Sequence, residues 1–467
     1  MRSISLFLLM MIGFGADAQE TNLSPYSRFG IGDPDRGDFV TQFGMGGSGV
    51  ALIDGIHINP YNPAAQSFLL SPAFEIGLKT ERLQVTSESE SSTNSITRFN
   101  NFAVGFPMWK GKWGAAFGLK PFTTVGYNNT QDLFSEALDT TYRAEYIGSG
   151  GLNQIFVDLS RELTIFKDSS TYKQDNIISL GLRFNYLFGS VNTERSALFP
   201  RSSGFNNTRI EDATTMNDVS WTGGFLVRLF TDRKTSDQDR KSSALNIGGS
   251  ISFEEELRGR RSRNAYTFVE NLSGVEFIRD SISSFEGRTG TLIIPGRLSL
   301  GLSYELYVLN KSRNRQRKLA VALDYSSADW SVLSEDFGAD IAYSGMGNSS
   351  TQSIGLSYQP QIGIQKGIRG NLLRLSTYRI GYRTGWSHLS FENEDISESG
   401  ISFGMSIPLL VKGRKETDTQ FDFALAYEER GTTASGLLQE EGLRVMFGFS
   451  FHPDYRFDQW FRKRKYD

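Results

Sequence analysis

The sequence predicts an all-β protein, folded as a closed transmembrane antiparallel β-barrel of about fourteen strands. Three observations carry this prediction. Apolar and polar residues alternate with a period of two along most of the chain after residue 72. The alternating runs span about 10–14 residues, the length of a tilted membrane-spanning strand rather than the usual 5–6. Their polar face collects glycine, serine and scattered charges, as the lumen of a transmembrane barrel does.

The clearest alternating run lies at residues 178–188. One face carries only large apolar or aromatic side chains, and the other carries Ser179, Gly181, Arg183 and Asn185 before Leu187. Runs at 297–306 and 443–451 show the same contrast. A soluble sandwich would also alternate, but the length of the strands and the small residues on the polar face favour the barrel.

Fourteen strands of this kind can be counted, and an even number is what a closed single-chain barrel of the outer membrane requires. A further hairpin within 262–294 leaves sixteen strands as the alternative. The predicted strands are 73–86, 98–108, 113–124, 152–164, 176–189, 215–229, 243–257, 296–307, 318–326, 351–360, 374–387, 398–409, 419–428 and 440–451.

The connections between these strands alternate in length, which predicts the orientation of the barrel. Odd-numbered connections are long, namely 87–97, 125–151, 190–214, 258–295 and 327–350, whereas even-numbered ones such as 109–112 are mostly short. Outer-membrane barrels have short periplasmic turns and long external loops. Lysine and arginine gather in the short turns and in the tail 453–467. We interpret them as a solvated periplasmic rim rather than a nucleic-acid site, with both termini periplasmic.

The first eighteen residues read as a secretory signal peptide. Arg2 supplies the positive charge, residues 6–14 an apolar core, and Ala16-Asp17-Ala18 a small-residue cleavage site. That apolar core is shorter than the roughly 20 residues a spanning helix needs. Together with the barrel pattern, the signal predicts insertion among the lipids of a Gram-negative outer membrane. The chain contains no cysteine, so no disulfide contributes to its stability.

Residues 44–55, GMGGSGVALIDG, contain the G-x-G-x-x-G spacing of dinucleotide-binding loops. Such a site needs a buried strand before the glycines and a helix after them. The preceding GDPDRGDFVTQF has no apolar run, and Pro60 and Pro63 would break a following helix. The sequence therefore predicts no cofactor. We expect these glycines to allow tight turns in a narrow space.

Two N-terminal motifs resemble those of the FadL family and its PorV-like relatives in the Bacteroidetes. They are GMGGSGVA, with Gly44, Gly46, Gly47 and Gly49, and the motif Asn62-Pro63-Ala64. The resemblance implies a small hatch, residues 19–72, inside a fourteen-strand barrel of residues 73–452. It also implies passive passage of small hydrophobic compounds. PorV-like members instead act as partners of a secretion machine, so a non-transport subunit of an outer-membrane assembly or secretion complex is the alternative.

The polarity of the predicted external loops bears on this choice. A fatty-acid transporter is expected to have apolar loops, but SESESSTNS at 87–95 and RSSGFNNTRIEDATT at 201–215 are polar. Within the strands, the charges expected to face the lumen are the best functional candidates. They pair with lumen carboxylates and hold the hatch, or they act on a solute. These residues are Arg183, Arg228, Arg297, Arg379 and Arg383.

Nothing in the sequence predicts an enzyme. The three histidines, His57, His388 and His452, fall in the hatch, in an external connection and after the last strand, so we expect no shared site. There is no G-x-S-x-G motif and no cysteine nucleophile. The acidic runs 254–256 and 33–38 could contribute oxygen ligands to a cation, but they have no fixed ligand spacing. We therefore expect no metal site.

Overall fold

The structure is a computed structural model that describes residues 23–166, 176–234, 239–271, 273–310, 315–338, 340–343, 345–362, 372–391, 394–409 and 419–453. The predicted signal peptide, parts of the basic turns and nearly all of the C-terminal tail lie outside these ranges.

The described residues form twenty β-strands and two single-turn α-helices, α1 (Val40–Phe43) and α2 (Leu372–Leu375). No described helix is long and apolar enough to cross a membrane. The strands are β1 (Asp33–Pro34), β2 (Ala73–Thr86), β3 (Ser91–Met108), β4 (Trp113–Pro121), β5 (Thr123–Ser135), β6 (Thr140–Phe166), β7 (Asn176–Leu198), β8 (Asn207–Lys234), β9 (Asp239–Ser252), β10 (Glu255–Glu270), β11 (Glu276–Ile294), β12 (Arg297–Asn310), β13 (Arg315–Asp329), β14 (Ser334–Asp336), β15 (Asp340–Ala342), β16 (Asn348–Gln359), β17 (Thr377–Phe391), β18 (Glu394–Pro408), β19 (Gln420–Gly431) and β20 (Gln439–Phe451).

The wall is a closed antiparallel barrel of fourteen strands, which confirms the prediction. The strands β4 and β5 share one position, since both pair with β6. The last strand, β20, closes the barrel on the first, from Phe74 opposite Phe451 to Thr86 opposite Gln439. The sixteen-strand alternative is wrong. The additional hairpin β10–β11 lies outside the wall, because β9 pairs directly with β12.

The outer face of the wall carries apolar side chains and the inner face polar ones, as the alternation predicts. On β7, Leu180 and Leu182 are 54% and 52% exposed, whereas Arg183 between its apolar neighbours is 3% exposed. On β12, Leu300 and Leu302 are exposed and Ser299 and Ser303 are buried. Such an outward apolar face is stable only against lipid, so the soluble sandwich is excluded.

Several predicted loops are strands that continue beyond the membrane. β6, β7 and β8 contain 27, 23 and 28 residues, although a spanning strand needs only about 9–11. Their outer halves, with β5 and the hairpin β10–β11, form a sheet above the barrel that we call the raised sheet. The predictions of loops at 125–151, 190–214 and 258–295 are therefore wrong. Polar residues lie on both faces of these segments, so no apolar alternation marks them as strands, although Val125, Val191 and Leu292 are buried in a cluster with Trp330.

The N-terminal residues 23–72 contain only short elements. A 3-10 helix at Pro25–Arg28 is capped by Ser24, which accepts a hydrogen bond from the Tyr26 backbone N–H. The short elements β1 and α1 follow, and a second 3-10 helix at Pro63–Phe68 is capped by Asn62. We call residues 23–72 the N-terminal segment.

Candidate functional site in the barrel lumen

The N-terminal segment contacts inward-facing groups around the whole barrel. Its backbone hydrogen bonds reach Glu75 of β2, Phe122 before β5 and Asp324 of β13. Its side chains reach Asp158 of β6 and Phe225 of β8. These contacts place the segment inside the fourteen-strand wall.

A belt of wall glycines faces the segment. At each of these positions an added Cβ atom would lie 3.0 Å or less from an atom of the segment, so only glycine fits without displacement. At Gly381 the nearest atom would be the carbonyl carbon of Met45 at 2.0 Å, and at Gly181 the backbone nitrogen of Ala64 at 2.3 Å. The belt comprises Gly105, Gly114, Gly181, Gly224, Gly248, Gly301, Gly355, Gly381, Gly404 and Gly448.

The four glycines singled out in the sequence lie within this contact. Gly46 and Gly47 have φ angles of +71° and +78°, which other residues rarely adopt. A Cβ atom on Gly44 would lie 2.7 Å from the Cα of Gly404 in β18. Gly49 donates its backbone N–H to a carboxylate oxygen of Asp324 at 2.5 Å. The loop therefore contacts barrel strands, and its anionic partner is a side chain of this protein.

The motif Asn62-Pro63-Ala64 packs against β7 and β8. The Asn62 side chain accepts a hydrogen bond from the Ala64 N–H and donates to the carbonyl oxygens of Val50 and Phe225 at 3.0 and 2.9 Å. Asn62 and Ala64 are fully buried. The motif thus joins two parts of the segment to the wall.

The predicted lumen arginine Arg183 is bound on both sides. It makes a two-pronged ion pair with Asp158 of β6, at 2.6 and 2.8 Å. Its Nη1 atom also donates to the carbonyl oxygen of Pro60 at 2.6 Å. Gln66 of the segment donates to the same Asp158 carboxylate. This group links β6, β7 and the N-terminal segment in a buried site.

The other four predicted arginines also face inward but have different surroundings. Arg228 pairs with Glu305 at 3.2 Å. Arg379 donates to Ser406 at 2.5 Å. Arg383 pairs with Glu428 and lies 3.9 Å from Asp38 of the segment. Arg297 has no described carboxylate within 4.0 Å.

Charges of both signs line a cavity that we call the ion-pair cavity, of about 130 Å³, on the β2, β19 and β20 side. Arg430 binds Asp33 and Glu440 at 2.9 and 2.7 Å. Glu428 contacts three guanidinium groups, those of Arg36, Arg383 and Arg444. The sequence could not show these pairs, because they depend on the register between strands far apart in the chain.

The pKa values of titratable side chains in the N-terminal segment are shifted by the charged side chains beside them. Burial alone would raise the pKa of Asp35, but Lys79 and Arg98 hold it below its usual value. Burial and the nearby Asp38 carboxylate raise the pKa of Tyr61 well above its usual value, and its hydroxyl donates to Asp38 at 2.5 Å. The segment is therefore held by charged carboxylates as well as by close packing.

Two of the three histidines meet, contrary to the expectation that they lie apart. The rings of His57 and His452 are 6.1 Å apart and edge-on, because the segment carries residue 57 to the end of the last strand. His388 is buried within β17, not in an external connection, and packs on Trp330. Burial would lower the pKa of His57, but Asp54, Glu75 and Asp422 raise it to about 9. Burial and the charge of His57 lower the pKa of His452 to about 4.

The wall has a lateral gap. Residues 102–108 of β3 pair with β4, but no ladder among the described residues joins the outer half of β3, residues 91–101, to β5. Instead β1 of the segment pairs with β5, with Pro34 opposite Thr123. The carboxylate of the next residue, Asp35, binds Arg98 of β3 at 3.2 Å. Residues 33–35 therefore bridge the gap from inside.

Neither acidic run assembles a metal site. Asp33 and Asp35 bind arginines, and residues 254–256 lie at the junction of β9 and β10 with Glu254 and Glu256 exposed. Within the described ranges, no three histidine or acidic side chains converge on a position for a metal ion.

The lipid-facing wall and the enclosed segment define the class of protein, an outer-membrane β-barrel with the FadL-type fold. The toluene transporter TbuX of Ralstonia pickettii is similar over 90% of this chain and 99% of its own, at 14% identity and a TM-score of 0.52. A FadL homologue of Pseudomonas aeruginosa is similar over 91% and 99%, at 11% identity and a TM-score of 0.50. These likenesses show the fold. The chain belongs to the BamG family, which it matches over residues 1–467. No curated protein matches it.

Proposed function

We propose that this barrel is a non-transport subunit of an outer-membrane protein-assembly complex, with its lumen closed by the N-terminal segment as a fixed hatch. The contact between the glycine belt and the segment carries this proposal. Backbone atoms of the segment are nearest to the wall glycine at five positions, so a rotamer change alone could not open a path there. These positions are Gly114, Gly181, Gly248, Gly381 and Gly404. An open path along the barrel axis would require the segment itself to move.

The polarity of the interior supports the same role. The ion-pair cavity is lined by charges such as Arg36, Arg383 and Arg444, which would have to lose partners or water for an apolar compound to pass. The polar segments 87–95 and 201–215, which include the first residues of β3 and β8, carry few apolar side chains for docking a hydrophobic compound. Membership of the BamG family is consistent with an assembly role.

The raised sheet offers a surface for a protein partner. Apolar side chains at the far end of β11 are exposed beyond the length that the membrane requires, with Phe277, Ile278 and Ile282 at 52%, 68% and 59%. Phe134 at the end of β5 is 61% exposed. Exposed apolar groups outside the bilayer are typical of protein interfaces.

Purification of the tagged chain from native membranes in a mild detergent tests this role. We expect stable co-purification with other outer-membrane proteins at stoichiometric amounts. A variant in which residues 264–284 are replaced by a short turn should fold, by heat-modifiable mobility, and lose those partners. A Leu182→Ala variant of the lipid-facing wall is the matched control and should retain them. Recovery of the intact chain alone would contradict the proposal.

The lateral gap favours a second candidate, passive passage of small hydrophobic compounds. Residues 33–35 bridge the gap between β3 and β5, and beside them Ser27 bonds to Gly126 of β5 and Asp38 to Asn100 of β3. Movement of residues 27–38 would connect the lumen to the lipid. The FadL-type fold is consistent with this route.

A cross-link separates the two candidates. The chain has no cysteine, so the pair Pro34→Cys and Thr123→Cys would be its only thiols. Ladder partners have Cα atoms about 4.5–5.5 Å apart, within the range for a disulfide. Passage predicts that cells accumulate a labelled monoaromatic compound only when this disulfide is reduced. A closed subunit predicts uptake equal to that of the gene deletion in both states.

A further inference from the structure

A second lumen cavity, of about 130 Å³, lies on the side of β4, β7 and β12. Four cationic side chains line it, namely Arg36, Lys120, Arg183 and Arg297, against one carboxylate, that of Asp35. We call it the cationic cavity. In the ion-pair cavity, by contrast, arginines such as Arg430 and Arg444 each bind two carboxylates.

Two of these cations have no carboxylate partner among the described residues. Lys120 is 7% exposed, and its Nζ atom donates only to the carbonyl oxygen of Pro60, at 3.3 Å. Neither Lys120 nor Arg297 has a described carboxylate oxygen within 4.0 Å of its side-chain nitrogens. The Nη1 atom of Arg36 is also buried without a hydrogen-bond partner. A buried cation without a counterion, such as Lys120, destabilises a fold unless an anion joins it, whereas Arg36 and Arg297 are partly exposed.

The remaining charges do not neutralise this excess. Arg183 is matched by Asp158. Asp35 is shared with two cations outside the cavity, Arg98 at 3.2 Å and Lys79 at 3.9 Å. Arg183 and Arg297 repel Lys120, while Asp35 and Asp158 attract it without direct contact. Lys120 and Arg297 therefore lack a direct ion pair among the described residues.

The rest of the lining is suited to an oxyanion. Hydroxyl and amide groups from five wall strands line the cavity beside the cations, including Gln154, Asn185, Thr222, Ser250 and Ser299. A water molecule occupies about 10–15 Å³ of such a volume, so the cavity accommodates a group of several heavy atoms. Arginine and lysine with hydroxyl donors form a common arrangement for binding phosphate.

We propose that the cationic cavity binds a phosphate group, held by Lys120 and Arg297 with Arg36 of the N-terminal segment. The group is either inorganic phosphate or the phosphate monoester headgroup of an amphiphile. Because Arg36 belongs to the segment and the other two to the wall, the bound anion joins the segment to β4 and β12.

Thermal unfolding of the full chain in a nonionic detergent tests the site, with inorganic phosphate and dodecyl phosphate as separate probes and chloride at equal ionic strength as the reference. We expect a saturable rise in Tm with phosphate. Lys120→Met and Arg297→Gln should each raise the apparent Kd about tenfold or more. Without phosphate, Lys120→Met should have an unchanged or higher Tm, because an unpaired buried cation is removed.

Lys318→Met is the control, since this lumen lysine is paired with Glu305 at 3.2 Å outside the cationic cavity. Its phosphate response should match that of the unmodified chain. A response to inorganic phosphate identifies a free anion as sufficient, and a Lys120-dependent response to dodecyl phosphate alone identifies a headgroup. No response to either probe, or an equal response in Lys120→Met, would overturn the proposal.

Discussion

The Asp324 carboxylate in β13 accepts hydrogen bonds from the backbone N–H groups of Gly49 and Val50, at 2.5 and 2.8 Å. Asp324 thus occupies the position that a phosphate would take in a dinucleotide-binding loop of the same glycine spacing. Here an internal carboxylate fixes the loop to the wall.

Replacement of Asp324 by alanine should loosen the loop. Two buried N–H groups would lose their acceptor, at a cost of about 1–3 kcal/mol. We expect the folded variant to be cleaved faster within residues 40–55, as measured by limited proteolysis and mass spectrometry. Asp280→Ala, on the exposed part of β11, should leave the digestion rate unchanged. Equal protection in both variants would show that Asp324 does not hold the loop.

The glycine belt makes a matched comparison possible on neighbouring strands. A Cβ atom on Gly181 would lie 2.3 Å from the backbone of Ala64, whereas one on Gly223 would meet only Ile251 at 3.9 Å. Gly181→Ala should lower the unfolding free energy by roughly 1–3 kcal/mol through overpacking. Gly223→Ala should have little effect. Denaturant unfolding in detergent measures both, and equal stabilities would contradict the close packing.

The Arg183–Asp158 pair should be a major determinant of stability. Asp158→Asn leaves Arg183 buried without a charged partner, which typically costs about 3–5 kcal/mol. Asp132→Asn removes an ion pair with Arg143 that is exposed at the tip of the β5–β6 hairpin. The denaturation midpoint of this variant should not differ measurably from that of the unmodified chain. The two denaturation midpoints, measured under one condition, provide the check.

The stability of the segment should depend on pH through His57. Its pKa is raised from 6.5 to about 9 by Asp54, Glu75 and Asp422. The stabilisation is therefore complete below pH 6.5 and lost as the pH rises through 9. We expect a loss of roughly 1–3 kcal/mol across this window. His57→Gln should flatten the Tm profile there, and a profile identical to that of the unmodified chain would contradict the assignment.

His452 titrates in a separate window. Its lowered pKa, about 4, contributes stability above pH 6.5 that is lost as the pH falls through 4. The two histidines can therefore be distinguished in one pH series.

The wall strands were predictable because successive residues of each strand face the lipid and the lumen in turn. Leu180 and Arg183 show this contrast in sequence and in structure. The outer parts of β5–β8, β10 and β11 were not predictable, since polar residues lie on both faces. Nor were the partners of Arg183 and Arg383, because Asp158 and Glu428 approach them only through the register of the barrel. The sequence showed the glycines of the wall but not that ten of them face one segment.

The glycine belt has a consequence for biogenesis. Because the segment packs closely against ten wall glycines, we do not expect it to enter a barrel that has already closed. We expect residues 23–72 to be in place before β20 pairs with β2. The barrel would then form around its own N-terminal segment, with the pairing of β2 and β20 as the last step.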